Sequence, residues 1–294
     1  MFILFTIFHY LVQAAVDVLD KVLITKRKIE PVSYTFFTII TGLVFLAIWP
    51  WVFLHLPNRA IFLDVLSGIW FSLAYFVFFK AMSGGEVSRV IPFVFGIMPL
   101  FDVAISVFTG KNTLQIQEVA ALSLLVPGAL LISYKPNSFL KSHVGLKIGA
   151  AFMLSSYNAL WQYAAQTGTV LNNLMWNRIG AALLVICFLL IPSLRNKIFA
   201  TKHIEQKKDT SILFIAKQLL GGFSFLFLSF LLVMGKISVV SSLQGFRYIF
   251  LFVAGIIFTK YHKHVLEEDV DRHTKKQKLF AIVLICLGTL ILFI

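Results

Sequence analysis

Charge is what this chain has least of. Asp, Glu, Lys and Arg make up 13% of its 294 residues, about half the ~25% usual in a soluble domain. Cysteine is down to two, Cys187 and Cys286, both inside apolar runs. That excludes a disulfide framework, and with no Cys/His cluster at ligand spacing no metal is expected. There is no Walker loop, GxSxG, HExxH or CxxC. An ATP-driven pump on this chain alone is excluded, no catalytic constellation remains, and neither enzyme activity nor a cofactor is expected.

Apolar residues fill the space instead. They make up 59% of the chain, the mean hydropathy is +0.88, and they come in long runs rather than at amphipathic spacing. A run of about 20 apolar residues spans a bilayer as a helix, with every backbone group bonded internally. The reading is an all-α integral membrane protein with ten spans: 2–24, 32–54, 62–82, 87–109, 115–134, 145–166, 170–191, 212–234, 238–259 and 277–294. The first run, 2–19, lacks the basic start and small-residue cleavage site of a signal peptide, so it is read as the first span. Trp49 and Trp51, bracketing Pro50, read as interfacial anchors. Two connections are longer and polar: 195–211, and 260–278 with Glu267, Glu268, Asp269 and Asp271. His262, His264 and His273 sit there among lysines and read as solvated.

One stretch occurs twice. Segments 85–111 and 235–261 align without a gap, and Gly85/Gly235, Ser88/Ser238, Val90/Val240, Val103/Val253, Ala104/Ala254, Phe108/Phe258 and Thr109/Thr259 are identical. Each copy follows an apolar helix and a short glycine-containing turn. The chain therefore reads as two five-helix units, 1–136 and 137–294. Five spans per unit is an odd number, so the second unit must enter the membrane in the opposite direction.

Loop charge agrees with inversion. The connection between spans 1 and 2 holds Lys21, Lys26, Arg27 and Lys28, and its counterpart between 6 and 7 holds none. Lys111 stands alone between spans 4 and 5, against Lys260, Lys263, Arg272, Lys275, Lys276 and Lys278 between 9 and 10. Of 26 basic residues, three (Arg59, Lys111, Lys236) flank one side, two (Arg178, Arg247) lie within spans, and the other 21 flank the opposite side. The positive-inside rule makes that side cytoplasmic and puts both termini outside the cell membrane. The net charge of +13 thus marks orientation, and no nucleic-acid partner is expected.

Two five-helix units with this turn-and-helix text resemble the drug/metabolite transporter superfamily, EamA-type. The phrase FVFFKAMSGGEVSRVIPFVFGIMPLF resembles that family's third helix, small-residue turn and proline-bearing fourth helix, with Pro99 at the proline position. NRIGAALLVICFLL resembles its seventh-helix arginine phrase, at Arg178, and the fifth and tenth helices end in similar phrases at Gly128 and Gly288. The ninth helix departs, having QGFRYIF and no proline. The resemblance implies a carrier of small metabolites working by alternating access, as monomer or homodimer, with a cavity lined mainly by spans 1, 3, 4, 6, 8 and 9.

Polar groups inside the membrane are the site candidates, because a mid-bilayer charge costs about 2.5–3.5 kcal/mol on insertion scales. Arg247 lies near the middle of span 9, about nine residues (~13 Å) from either end. Ser241, Gln244, Arg247 and Tyr248 are read as one helical face, with Arg247 either binding an anionic group or pairing with an aspartate on another helix. Span 1 carries His9, Gln13 and Asp17 at helical spacing. Its counterpart, span 6, carries Ser155, Asn158, Trp161 and Gln162, and Asn158 aligns with Asp17. Asp17 and Asp102 are candidates for proton coupling or ion pairing. Arg178 is read as a structural ion near a helix end, able to reach a carboxylate. Trp70, Tyr75, Trp161 and Tyr163 are candidate cavity walls.

The expected function is secondary-active transport of a small polar or amphipathic metabolite at a midplane site between the units, with the bilayer and protons as the other partners. Two alternatives stand beside it: a non-transporting assembly or regulatory subunit, and a flippase for lipid-linked intermediates on the same fold.

Overall fold

The structure, a computed structural model, describes residues 2–52, 55, 57–110, 115–134, 144–164, 166–205, 208–234, 243–261 and 271–292. No strand occurs among them. The first element is α1 (Phe2–Lys21), continued by a π turn over Val22–Lys26. Next come α2 (Pro31–Gly42), a 3-10 stretch (Leu43–Ile48) and the short α3 (Trp49–Val52). Then follow α4 (Asn58–Ser83), α5 (Val87–Phe108), α6 (Ile116–Ser133), α7 (Val144–Ala164), α8 (Val170–Cys187), α9 (Pro192–Glu205), α10 (Lys208–Met234), α11 (Gly245–Tyr261) and α12 (Arg272–Leu292).

Local chemistry explains the boundaries. Pro31 opens α2 at a position where its missing N–H costs nothing. Pro50 has no N–H to give to the carbonyl four residues back, and the run before it tightens into 3-10. The Thr169 side chain accepts from the Asn172 N–H and caps α8, while Gln115 and Glu118 form a capping box on α6.

Each predicted span carries helix, and among the described residues four helices are individually long and apolar enough to cross a membrane: Ile3–Lys26, Asn58–Ser83, Val87–Phe108 and Val170–Leu190. The connection 195–211, expected only as a polar link between spans, is largely helical: 192–205 is α9, started by Pro192. Leu194 and Ile198, one turn apart, pack with Val32, Ile39 and Val185, and Ser33 Oγ donates to the Lys197 carbonyl at 3.1 Å. Apolar contact on one face holds a helix whose composition is otherwise polar. The Trp49 ring packs edge-on against Trp176 at 5.0 Å and its Nε1 donates to Asn172 at 3.2 Å. Trp51 is 81% exposed.

In lipid, helices gain little from hiding apolar surface from each other, so close approach through small residues carries the packing. At the α4–α8 crossing a Cβ on Gly68 would lie 1.9 Å from the Asn177 carbonyl oxygen, and one on Gly180 would lie 2.0 Å from that of Val65. Gly68→Ala is expected to cost about 1–3 kcal/mol through overpacking. Gly221, with nothing within 4 Å, is the control: detergent-solubilised Gly68→Ala should melt earlier than wild type and Gly221→Ala should not.

A second glycine seam joins α6 to α12. Gly128 abuts Ile285 and the Ala281 carbonyl, and Gly288 abuts Leu125 and the Ala121 carbonyl. The contacts are reciprocal: adding 160 to 121, 125 and 128 gives 281, 285 and 288. Elsewhere α1 packs on α10 and α11, while α7 packs on α4 and α5. The main core, around Phe79, Phe93, Val90, Leu125 and Ile285, lies where these helices converge.

Candidate functional site

The polar stripe on α1 faces α10 and α11. Ser224 Oγ donates to Gln13 Oε1 at 2.8 Å and lies 3.3 Å from His9 Nδ1. One turn further, Asp17 meets Arg247 in a bidentate pair, Nε to Oδ2 at 2.6 Å and Nη2 to Oδ1 at 2.7 Å. The guanidinium also lies over the Phe95 ring, 4.5 Å from its centroid. Both partners are shut away, at 6% and 2% exposure, and Tyr248 is buried beside them.

The helix geometry around Arg247 differs from the expectation. A turn occupies 243–244 and α11 begins at Gly245, so Arg247 stands in the first turn and not mid-helix. Gln244 precedes the helix and accepts the Arg247 backbone N–H at 3.0 Å. These residues therefore do not share one helical face. At Gly245 the chain abuts Cys286 of α12. Ser241 lies outside the described residues.

Arg178 has the opposite environment. It is the ninth residue of the 18-residue α8, in mid-helix rather than near an end. Its Nε is buried without a hydrogen-bond partner, and among the described residues no carboxylate pairs with it. Aromatic rings surround it. Phe71 of α4 lies 5.1 Å from the guanidinium carbon and Phe225 of α10 6.0 Å. Phe71 in turn packs against Tyr75 at 4.4 Å and Tyr157 of α7 at 5.0 Å. The side chain is only partly buried. A guanidinium with unspent donors, open on one side and walled by π-faces, can fork onto a carboxylate or phosphate while the rings take an apolar body.

The aromatic row continues along α4 as Tyr75 and Phe79, one turn apart, and leads to a second buried cation. Lys217 of α10 pairs with Asp20 at 3.1 Å and lies over the rings of Tyr34 and Phe79 at 5.1 and 5.9 Å. Tyr34 Oη donates to Asp20.

Beyond this level the helix ends are tied together. Lys21 Nζ donates to the Met82 carbonyl at 2.8 Å and that of Gly85 at 2.5 Å. Lys278 Nζ meets Glu86 at 2.5 Å and Ser88 at 2.9 Å. Arg89 Nη1 caps the end of α6 at the Ile132 and Tyr134 carbonyls, both at 2.9 Å.

Sequence reading missed Asp20, Lys217 and Lys278 as internal groups, because they stand near span ends, where a lysine reads as a flanking charge. The available signal was Lys217 inside SILFIAKQLL, a single cation in an apolar run. The remaining candidates scatter. Ser155 Oγ of α7 donates to Asp102 Oδ1 of α5, and Asp102 is otherwise exposed. Trp70 Nε1 donates to Ser156 Oγ at 2.9 Å, tying α4 to α7, and Asn158 and Trp161 are half-buried on α7.

Residues 1–134 match the EamA-like transporter family. No curated protein matches the chain.

Proposed function

We propose, from the match of residues 1–134 to the EamA-like transporter family, that this multi-pass membrane protein is a secondary-active carrier for a small amphipathic organic anion. One observation carries the reading: Arg178, a guanidinium inside the membrane region with no carboxylate paired to it among the described residues. Arg247, the other intramembrane arginine, is already matched by Asp17. The solute's carboxylate or phosphate would sit on Arg178, and its apolar part between Phe71, Tyr157 and Phe225. Trp70, Asn158 and Trp161 would line the same side from α4 and α7.

The proposed architecture is a duplicated unit, 1–136 and 137–294, inverted across the membrane. The reciprocal seam at Gly128 and Gly288 supports it, since paired contacts of that kind arise when two helices are related by a twofold axis. The offset is 160 there and 150 in the repeated text, a difference taken up by the longer connection 260–278. Both termini would face outward. A tag after Ile294 should stain on intact cells, and a tag that stains only after permeabilisation contradicts the orientation.

In alternating access, the ties from Lys21 to Met82 and Gly85, and from Lys278 to Glu86, would close one end and break when the passage opens there. An unoccupied Arg178 enclosed at the membrane centre while the passage is shut on both sides costs about 2.5–3.5 kcal/mol, and a bound anion offsets much of that charge. Reorientation should therefore run faster loaded than empty. In proteoliposomes tested against a panel of small organic anions, the accepted solute should exchange against internal solute faster than it enters empty vesicles. Equal rates would contradict a charge-gated carrier. A panel with no accepted member would favour a non-transporting subunit.

A further inference from the structure

Asp64 takes no part in any of this, and its surroundings are unusual. It is fully buried on α4, and neither carboxylate oxygen has a hydrogen-bond partner. The basic residue closest to it in the chain, Arg59, donates instead to Tyr163 Oη at 3.1 Å. Helix-end dipoles fade within the first turn, and Asp64 stands in the second turn of α4.

Across the crossing lies a third orphaned acceptor. Asn173 of α8 is fully buried and its Nδ2 donates to the Ala164 and Thr167 carbonyls at 3.3 and 2.7 Å. Those bonds fix the amide, and its Oδ1 is left without a donor. The α4 and α8 helices run in the same direction: Ser67 accepts from Asn177, 110 positions on, and Ser72 donates to Ala181, 109 positions on. That register sets Asp64 level with Asn173, which is also 109 positions on.

We propose that Asp64 and Asn173 form a site for one sodium-sized monovalent cation at the α4–α8 crossing. The three unpartnered atoms of Asp64 and Asn173 are all oxygens, which suits a hard cation. Water can bond to such oxygens but cannot neutralise a carboxylate removed from solvent. A single carboxylate is balanced by a monovalent ion, whereas a divalent one leaves a net charge in the same low-dielectric place. The site does not depend on which solute the carrier takes, so its failure would leave the Arg178 reading standing.

The test is thermal unfolding of the full-length protein in detergent, with sodium chloride replaced stepwise by choline chloride at constant ionic strength. Sodium should raise the Tm by about 2–4 °C for each tenfold increase above its Kd, and potassium should do so less. Asp64→Asn, nearly the same shape, should remove the response. Direct binding of radioactive sodium to the wild-type protein keeps the test independent of how that variant folds, and saturable binding is expected. A Tm indifferent to sodium, a sodium response retained in Asp64→Asn, or a Tm that follows pH and not sodium, the mark of a protonated Asp64, would each overturn the site.

Discussion

Replacing Asp17 by Asn or Ala should destabilise the folded protein by about 3–5 kcal/mol, the usual cost of leaving one member of a buried pair without its partner. Both Arg247 side-chain bonds among the described residues end on Asp17, and at 6% exposure the residue is almost wholly removed from solvent. Arg247→Met alone should be nearly as damaging, since it strands the carboxylate beside α10 and α11. The combined Asp17→Leu/Arg247→Met protein should recover much of the loss, because removing both charges also removes their desolvation cost. A double-mutant cycle by unfolding in mixed micelles gives the coupling directly. Additive effects of the two single changes would mean that the pair does not hold α1 to α11.

Arg178→Gln should do the reverse, leaving the fold and removing the function. The side chain bonds to no acceptor among the described residues, so its loss strands nothing, and yield and Tm should stay close to wild type. A charge-assisted hydrogen bond is worth about 1.5–3 kcal/mol, and a bidentate contact on a solute anion corresponds to a loss of about 10- to 100-fold or more in apparent affinity. Arg178→Lys keeps the charge but not the fork and should fall between. Phe71→Ala should weaken solutes with an aromatic body more than compact ones. If Arg178→Gln instead aggregates or melts early, Arg178 is a structural ion.

These two arginines show where reading the chain succeeds and where it stops. Both stood out in the sequence, since a cation inside an apolar run has few neutral explanations. Their roles were not visible there. Asp17 and Arg247 are 230 positions apart, and nothing local to either records that α1 lies against α11. Arg178 resembles a helix-end charge because Asn172, Asn173 and Asn177 precede it, yet Asn177 donates to Ser67 of α4, Asn172 accepts from Trp49 of α3, and Asn173 donates to the Ala164 and Thr167 carbonyls. The helices themselves were easier to read. Spans 87–109 and 115–134 come out as Val87–Phe108 and Ile116–Ser133, because apolar runs bounded by glycine and charged residues leave few other places for a helix to end. Helix α9 escaped because its stability comes from contact with α2, which no property of 192–205 records. Asp64 escaped for a similar reason: near a span end it reads as solvated, and only the α4–α8 crossing removes it from water.

The central claim is that Arg178 faces a water-filled passage and not lipid or packed protein. Arg178→Cys, made in a protein with Cys187→Ser and Cys286→Ala, can be treated in intact membranes with a charged, membrane-impermeant methanethiosulfonate reagent. The account predicts rapid modification, slowed by the transported anion. A cysteine inert to that reagent but reactive toward a lipid-soluble maleimide would place residue 178 against the bilayer and contradict it.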